Sequence, residues 1–362
     1  MKITGFKLGL LSAPLRVPFR TALREAVRLE DVIVELHTSD GLVGRGEAPP
    51  TAAVTGETIG SIVAALRDHI CPALAGKDAA CLEELLSAIS GSIAGNTSAK
   101  AAAEIAVWDL YAQYCRLPLY QLLGGGRNTL ETDLTISVNT PETMAKDTID
   151  ALSKGYSTLK IKVGENPDMD LARLRAVRAA APEAVIRIDA NQAWTPGQAV
   201  RLLEHMQAEG LGIELVEQPV KARDLKGLQF VTDRSPVPVM ADESMFSPLD
   251  AMTILELHAA DYVNIKLMKC GGLSNALRII SAAEVYGVEC MIGCMLEAKV
   301  SVTAAVHLAC AKGIITRVDL DGPALCSADP VAGGANFNGK HIDITDAPGL
   351  GISSISGLKY LE

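Results

Sequence analysis

Several things are scarce in this chain of 362 residues, and each scarcity removes a class of function. Aromatic residues make up only 4%, so a core must be built from Ala, Leu, Ile and Val. Basic residues are outnumbered, 33 Lys and Arg against 43 Asp and Glu, for a net charge of −10. Nucleic acids and anionic membrane surfaces need clustered Lys and Arg, so neither is an expected partner. A small anionic substrate stays possible, because one or two well-placed cations suffice. No run of about 18 apolar residues is present, which argues against a membrane-crossing helix. The opening Met1-Lys2-Ile3-Thr4 leads into a segment broken by Pro14, Arg16, Pro18 and Arg20, unlike a secretory leader. The eight cysteines are scattered, with no Cys-x-x-Cys pair and no zinc-type spacing. They read as reduced thiols, and the expected setting is the cytoplasm.

What is present has two rhythms. The first third reads as α+β, with strand character over 3–17 and 32–37 and a hairpin signal at Asp40-Gly41. Helical spacing follows over 58–70 and in the Ala-rich stretch 101–114, a buried packing helix. Gly124-Gly125-Gly126 is not followed by the residues of a phosphate loop and reads as a helix stop with a linker. Beyond it, short apolar runs alternate with amphipathic helical patterns. The runs are 134–138, 159–163, 185–189, 215–217, 239–242, 262–266, 290–294 and 317–319, and from the second on their ends recur every 24–28 residues. Strand–helix alternation implies a parallel sheet, and eight such strands fit a TIM-type barrel. The expected division is a cap over 1–124, a barrel over 125–318 and a segment 319–362 that packs back on the cap.

The strand ends carry the chemistry, because the C-terminal face of such a barrel is its active face. They hold Lys160 and Lys162, Asp189 and Asn191, Glu217, Asp242 and Glu243, Lys266, and Asp319 and Asp321. Any one of these has a plain alternative; Asp189 or Asp242, for instance, can be a helix N-cap. Their shared phase is harder to attribute to capping. Asp189, Glu217 and Asp242 make an all-oxygen set of the kind that suits Mg²⁺, and no His or Cys at those positions favours zinc. Lys162 and Lys266, on strands two and six, would then face each other across the mouth. A carboxylate held on Mg²⁺ has a more acidic α-hydrogen. One lysine would remove it and the other return it on the opposite face, with Lys160 beside Lys162 expected to lower its pKa by like-charge repulsion.

These residues resemble a known family. Leu159-Lys-Ile-Lys-Val163, Ile188-Asp-Ala-Asn191, Val216-Glu-Gln-Pro219, Ala241-Asp-Glu-Ser244 and Asn264-Ile-Lys-Leu-Met-Lys-Cys-Gly-Gly272 are similar to the motifs of the muconate-lactonizing-enzyme subgroup of the enolase superfamily. The resemblance implies a modified (β/α)7β barrel with an N-terminal α+β capping domain completed by the C-terminal segment. It also implies Asp189, Glu217 and Asp242 as Mg²⁺ ligands, Lys162 and Lys266 as the acid/base pair, and Lys160 as support for Lys162. Asn191, Asn264 and Glu243 stand behind them. Arg317-Val-Asp-Leu-Asp321 resembles the Asp-x-Asp with which dipeptide epimerases hold a substrate ammonium. Phe19-Arg-Thr-Ala-Leu-Arg24 resembles a mobile lid whose Arg24 would meet a substrate carboxylate, and the loop after Ala48-Pro-Pro50 a second lid. Arg20, Arg24 and Arg28 also fit a plain surface stripe. Cys294 and Leu296, just after strand seven, are expected to touch the substrate. The implied reaction is epimerisation of a dipeptide such as L-Ala-D/L-Glu by a homo-oligomer. Other dipeptides, N-acylamino acid racemisation, o-succinylbenzoate synthesis and cycloisomerisation are the alternatives within the subgroup.

Overall fold

The computed structural model describes residues 1–20 and 25–361. Its first layer is an antiparallel sheet of Ile3–Arg20, Glu25–Thr38 and Val43–Ala48, with Lys359–Tyr360 from the C-terminal segment on its outer edge. The first two strands run longer than their apolar pattern predicts, and a register shift between Pro14 and Phe19 lets the pair pass the prolines. The Ala-rich helix Thr97–Cys115 lies directly on this sheet. A Cβ added to Gly46 would stand 1.8 Å from the carbonyl oxygen of Ala102, so this approach requires glycine on the strand. The expected helix over 58–70 is broken into Ile59–Ala65, a π-turn Leu66–Ile70 and Cys71–Leu74. Pro72 has no N–H to give the carbonyl four residues back, and a wider turn accommodates its ring.

The second layer is the barrel. All eight apolar runs form parallel strands in chain order, each within two residues of its expected limits. Four of the intervening helices open with a capping side chain followed by proline, at Thr140-Pro141, Asn166-Pro167, Thr195-Pro196 and Ser247-Pro248. The side-chain oxygen accepts a free backbone N–H and proline supplies a preset φ, so each strand is returned by a helix with a defined start. Strands one and eight meet through the Asp133 N–H on Val318 O at 3.3 Å and the Thr135 N–H on Asp321 Oδ2 at 2.7 Å. At the opposite end of the barrel, Arg187 and Arg317 share Glu214 at 2.6 and 3.2 Å. No helix among the described residues is long and apolar enough to cross a membrane, and all eight cysteines are unpaired.

Candidate active site

The barrel ladders bring the strand-end residues together. Lys162 pairs in register with Asp189, and Asp189 with Glu217, so three neighbouring strands end at one level. Lys160 lies one pleat deeper, only 2% exposed. Its Nζ reaches Glu217 Oε2 at 2.7 Å, Asp319 Oδ2 at 2.8 Å and Asp189 Oδ2 at 3.1 Å. Burial disfavours its charge, but these carboxylates outweigh burial and push its pKa well up. The immediate partners of Lys160 are thus anions, and it ties three acids together.

Lys162 Nζ stands 2.6 Å from Asp189 Oδ2, and Lys266 Nζ 2.8 Å from Asp242 Oδ2. The two lysines come from strands two and six of eight, opposite each other, and both line one cavity. Gly293 makes room for the second, because a Cβ there would lie 3.0 Å from Lys266 Cε. Asp189 and Glu217 do not line this cavity, while Asp242, Glu243, Asp319 and Asp321 do. Asp189 and Asp242 are held below the usual carboxylate range by the lysines beside them, although burial acts the other way. Burial and the Asp189 charge push Glu217 up to about 8.

Backbone conformations around the acids are unusual. Asn191, Gln192 and Gln218 adopt positive φ of 42°, 69° and 39°, a costly choice for residues with a Cβ. Gln218 shows what the turn achieves. Its Oε1 accepts the N–H groups of Asp242 and Ser244 at 2.9 and 3.0 Å, so the loop of one acid fixes the loop of the next. Asn264 donates to Glu217 Oε1 at 3.0 Å, and Asn191 to Glu243 Oε1 at 3.2 Å.

The donor set fits a hard divalent cation. Three carboxylates occupy adjacent strand ends, and Asn191 Oδ1, Glu243 Oε2 and Asn264 Oδ1 are buried without a partner among the described residues. Ammonium groups stand between the acids, and among the described residues no three candidate ligands are gathered closely enough to hold a metal as they are. A cation would have to take over carboxylates that now serve the lysines.

Asp319 ends the last strand, whereas Asp321 sits beyond it in a helical turn, so a strand pleat does not align them. They still reach one cavity. One oxygen of each is used, by Lys160 and by the Thr135 N–H, and Oδ1 of each has no hydrogen-bond partner among the described residues. Neither pairs with Arg317, which bonds Glu214 and Glu289 instead. Cys294 and Leu296 both line the cavity, and Arg24 lies outside the described residues. Arg20 and Arg28, its companions in the stripe, are exposed and bond Glu25 and Ser12.

Residues 9–124 fit the model of the mandelate racemase/muconate lactonizing enzyme N-terminal domain, and residues 143–355 that of the enolase C-terminal domain-like family. The chain belongs to the enolase superfamily. Within it, the chain is 55% identical over 357 residues to the L-Ala-D/L-Glu epimerase of Clostridium acetobutylicum, covering 98% of this chain and 100% of that one. A substrate-liganded L-Ala-D/L-Glu epimerase from Bacillus subtilis superposes with a TM-score of 0.97 at 48% identity, over 98% of this chain and 100% of that one. The dipeptide epimerase of Enterococcus faecalis, complexed with Mg and L-Leu-L-Tyr, gives 0.94 at 41% over the same shares.

Sequence reasoning missed two features of this superfamily member. Lys269 is completely buried against Asp242, although the only sign was a lysine one helical turn after Lys266. Glu47, behind the lid motif Ala48-Pro-Pro50, accepts the N–H groups of Ala298 and Ser301 at 2.8 Å each. It joins Asp31 and Glu297 at the start of the helix Lys299–Ala311, pinning the loop of Cys294 and Leu296 to the cap. An isolated Glu on a strand gives no hint of that.

Proposed function

We propose that this protein is a Mg²⁺-dependent dipeptide epimerase that inverts the α-carbon of the second residue, with L-Ala-D-Glu and L-Ala-L-Glu as the favoured pair. The observation that carries the reading is a pair of lysines on opposite barrel strands lining one cavity, with two carboxylates for a substrate ammonium on its wall. The names of the relatives at 55% and 48% identity support the substrate, and the Mg in the E. faecalis complex supports the cation.

Asp189, Glu217 and Asp242 would hold the cation, which when bound supplies polarisation of the substrate carboxylate and so acidifies the α-hydrogen. Lys162 and Lys266 do the rest. A lysine must be neutral to accept a proton, and Asp242 now pushes the pKa of Lys266 up. That hold weakens once Asp242 serves as a ligand. One neutral lysine then takes the α-hydrogen and becomes an ammonium; the opposite ammonium delivers its proton to the other face and becomes neutral. The centre is inverted and the pair is left in mirrored protonation states, ready for the reverse reaction. Asp319 and Asp321 orient the free amino group, which N-acylated substrates lack. Arg24 would meet the side-chain carboxylate. Eight unpaired cysteines suit the cytoplasm, where peptides from murein turnover would be available.

The test is incubation with Mg²⁺ and each L-Ala-Glu epimer in D₂O, followed by proton NMR. Deuterium at the Glu α-carbon and formation of the second diastereomer are expected. Racemisation of N-acylamino acids without any action on dipeptides would replace this reading with the racemase one.

A further inference from the structure

Lys269 is the buried charged group that the mechanism above leaves unused. It lies on the short helix Leu267–Cys270, which continues from the sixth barrel strand, so it follows Lys266 by one turn. The residue is fully buried, a rare position for an ammonium group. Nζ has three partners: Asp242 Oδ1, the Asp242 main-chain oxygen, and the Asn264 main-chain oxygen at 3.1 Å. An ammonium has three N–H groups, so all of them are committed. Lys269 does not reach the cavity, whereas Lys266 does, and Lys266 uses only the other Asp242 oxygen, Oδ2.

The two oxygens of Asp242 are thus divided between a lysine that is enclosed and a lysine that faces the mouth. We propose that Lys269 is a positioning residue that clamps Asp242 by Oδ1 and by its main chain, so that Oδ2 alone is offered to a cation. With the clamp in place, Lys266 gives up its partner while the carboxylate stays where it is. Without it, Asp242 turns to satisfy both oxygens on Lys266, so the cation loses a ligand and the lysine that must move protons is tied down. The inference rests on the reading of Asp242 as a ligand and Lys266 as an acid/base group.

Electrostatics alone predicts the opposite sign, which makes the test sharp. Removing a positive charge beside a dication site tightens the site if Lys269 acts only as a charge. Removing a clamp loosens it. Mn²⁺ would be titrated into the full-length protein without dipeptide and free Mn²⁺ read by electron paramagnetic resonance, for the unmodified chain, Lys269→Met and Lys269→Gln. Affinity is expected to fall by about tenfold or more in both variants, the scale seen when a group orienting a metal ligand is lost. Unchanged or tighter binding overturns the proposal, and no Mn²⁺ uptake by the unmodified chain overturns it together with the metal reading. Mn²⁺ uptake without action on any dipeptide removes only the substrate. Should the variants fail to fold, a crystal structure of the Mn²⁺-loaded unmodified protein decides: Oδ1 still on Lys269 supports the clamp, and Oδ1 on the cation overturns it.

Discussion

The cavity has a floor and a roof of different construction. On the floor, Lys160, Lys162, Asp189, Glu217, Asp242 and Lys266 stand at the ends of adjacent or facing strands, and none is more than 8% exposed. Their positions follow from ladder register, and each charge is met by an opposite one within the barrel. The roof comes from loops and from the cap: Phe19, Thr51, Ala53 and Val54 reach over the cavity, with Ala53 exposed and Phe19 and Val54 partly so. Leu296 completes it from the loop after strand seven. Groups that move protons need placement that does not drift, which strand ends provide. Groups that select a side chain need only shape, and loops supply that while leaving the floor unchanged.

Breaking the floor should cost most. Lys162→Ala and Lys266→Ala are each expected to reduce epimerisation by about 10³-fold, within the usual span for a lost acid/base group. The two variants should differ in an informative way. Each should still exchange the α-hydrogen of one epimer with D₂O, and the surviving epimer should be opposite in the two. Exchange of both epimers by either variant would remove the two-base scheme.

Next come the carboxylates where floor and wall meet. Asp319→Asn should lower kcat/KM for dipeptides by about 10²-fold, since it weakens both the ammonium site and a partner of Lys160. Asp321→Asn removes a charge from the same site and also weakens the seam at the Thr135 N–H, so it should lower the melting temperature as well. Equal melting behaviour for the two variants would argue against Asp321 as a barrel fastener.

The roof should respond in kind rather than in degree. Leu296→Ala is expected to change KM for L-Ala-Glu by about tenfold, with kcat little altered, because a side chain pocket contributes roughly 1–3 kcal/mol of discrimination. Larger second residues should gain relative to Glu. A fall in kcat with KM unchanged would place Leu296 with the floor.

The same contrast explains what could be read from the sequence. The floor was legible because a strand interior has no use for Lys or Asp, and several of them shared one phase of a 24–28-residue spacing. Geometry then added contacts to these residues: Lys160 ties three acids together, and Asp321 also joins strand eight to strand one. The roof was legible only as resemblance, because loops carry no period. Lys269 and Glu47 were hidden for another reason. Their partners are far away in sequence, at Asp242 and at Ala298 and Ser301, and no local pattern encodes a contact of that range.

The smallest effect on rate should come from the seam between cap and barrel, and it appears instead in stability against pH. Glu104 of the cap helix Thr97–Cys115 accepts the Ser274 N–H of a barrel helix at 3.0 Å, and burial pushes its carboxyl up to about 7. Glu297 is also pushed to about 7 by burial, while on the floor Glu217 is pushed to about 8 and Glu243 to about 7. An acid raised in the folded state keeps a proton that the unfolded chain has shed, so stability falls as pH rises from about 4.5 through these values. Protons and Mg²⁺ compete on the floor but not at the seam. Mg²⁺ should therefore raise the melting temperature more at pH 8 than at pH 5.5 and flatten only part of the slope. Glu104→Gln, which mimics the protonated acid, should flatten a further part with kcat/KM changed by less than about twofold. From 4.5 to about 7 its share is at most about 3–4 kcal/mol, at about 1.4 kcal/mol per unit. Melting curves across pH with and without Mg²⁺ read both contributions, and a slope that Mg²⁺ abolishes entirely would mean that the seam acids titrate normally.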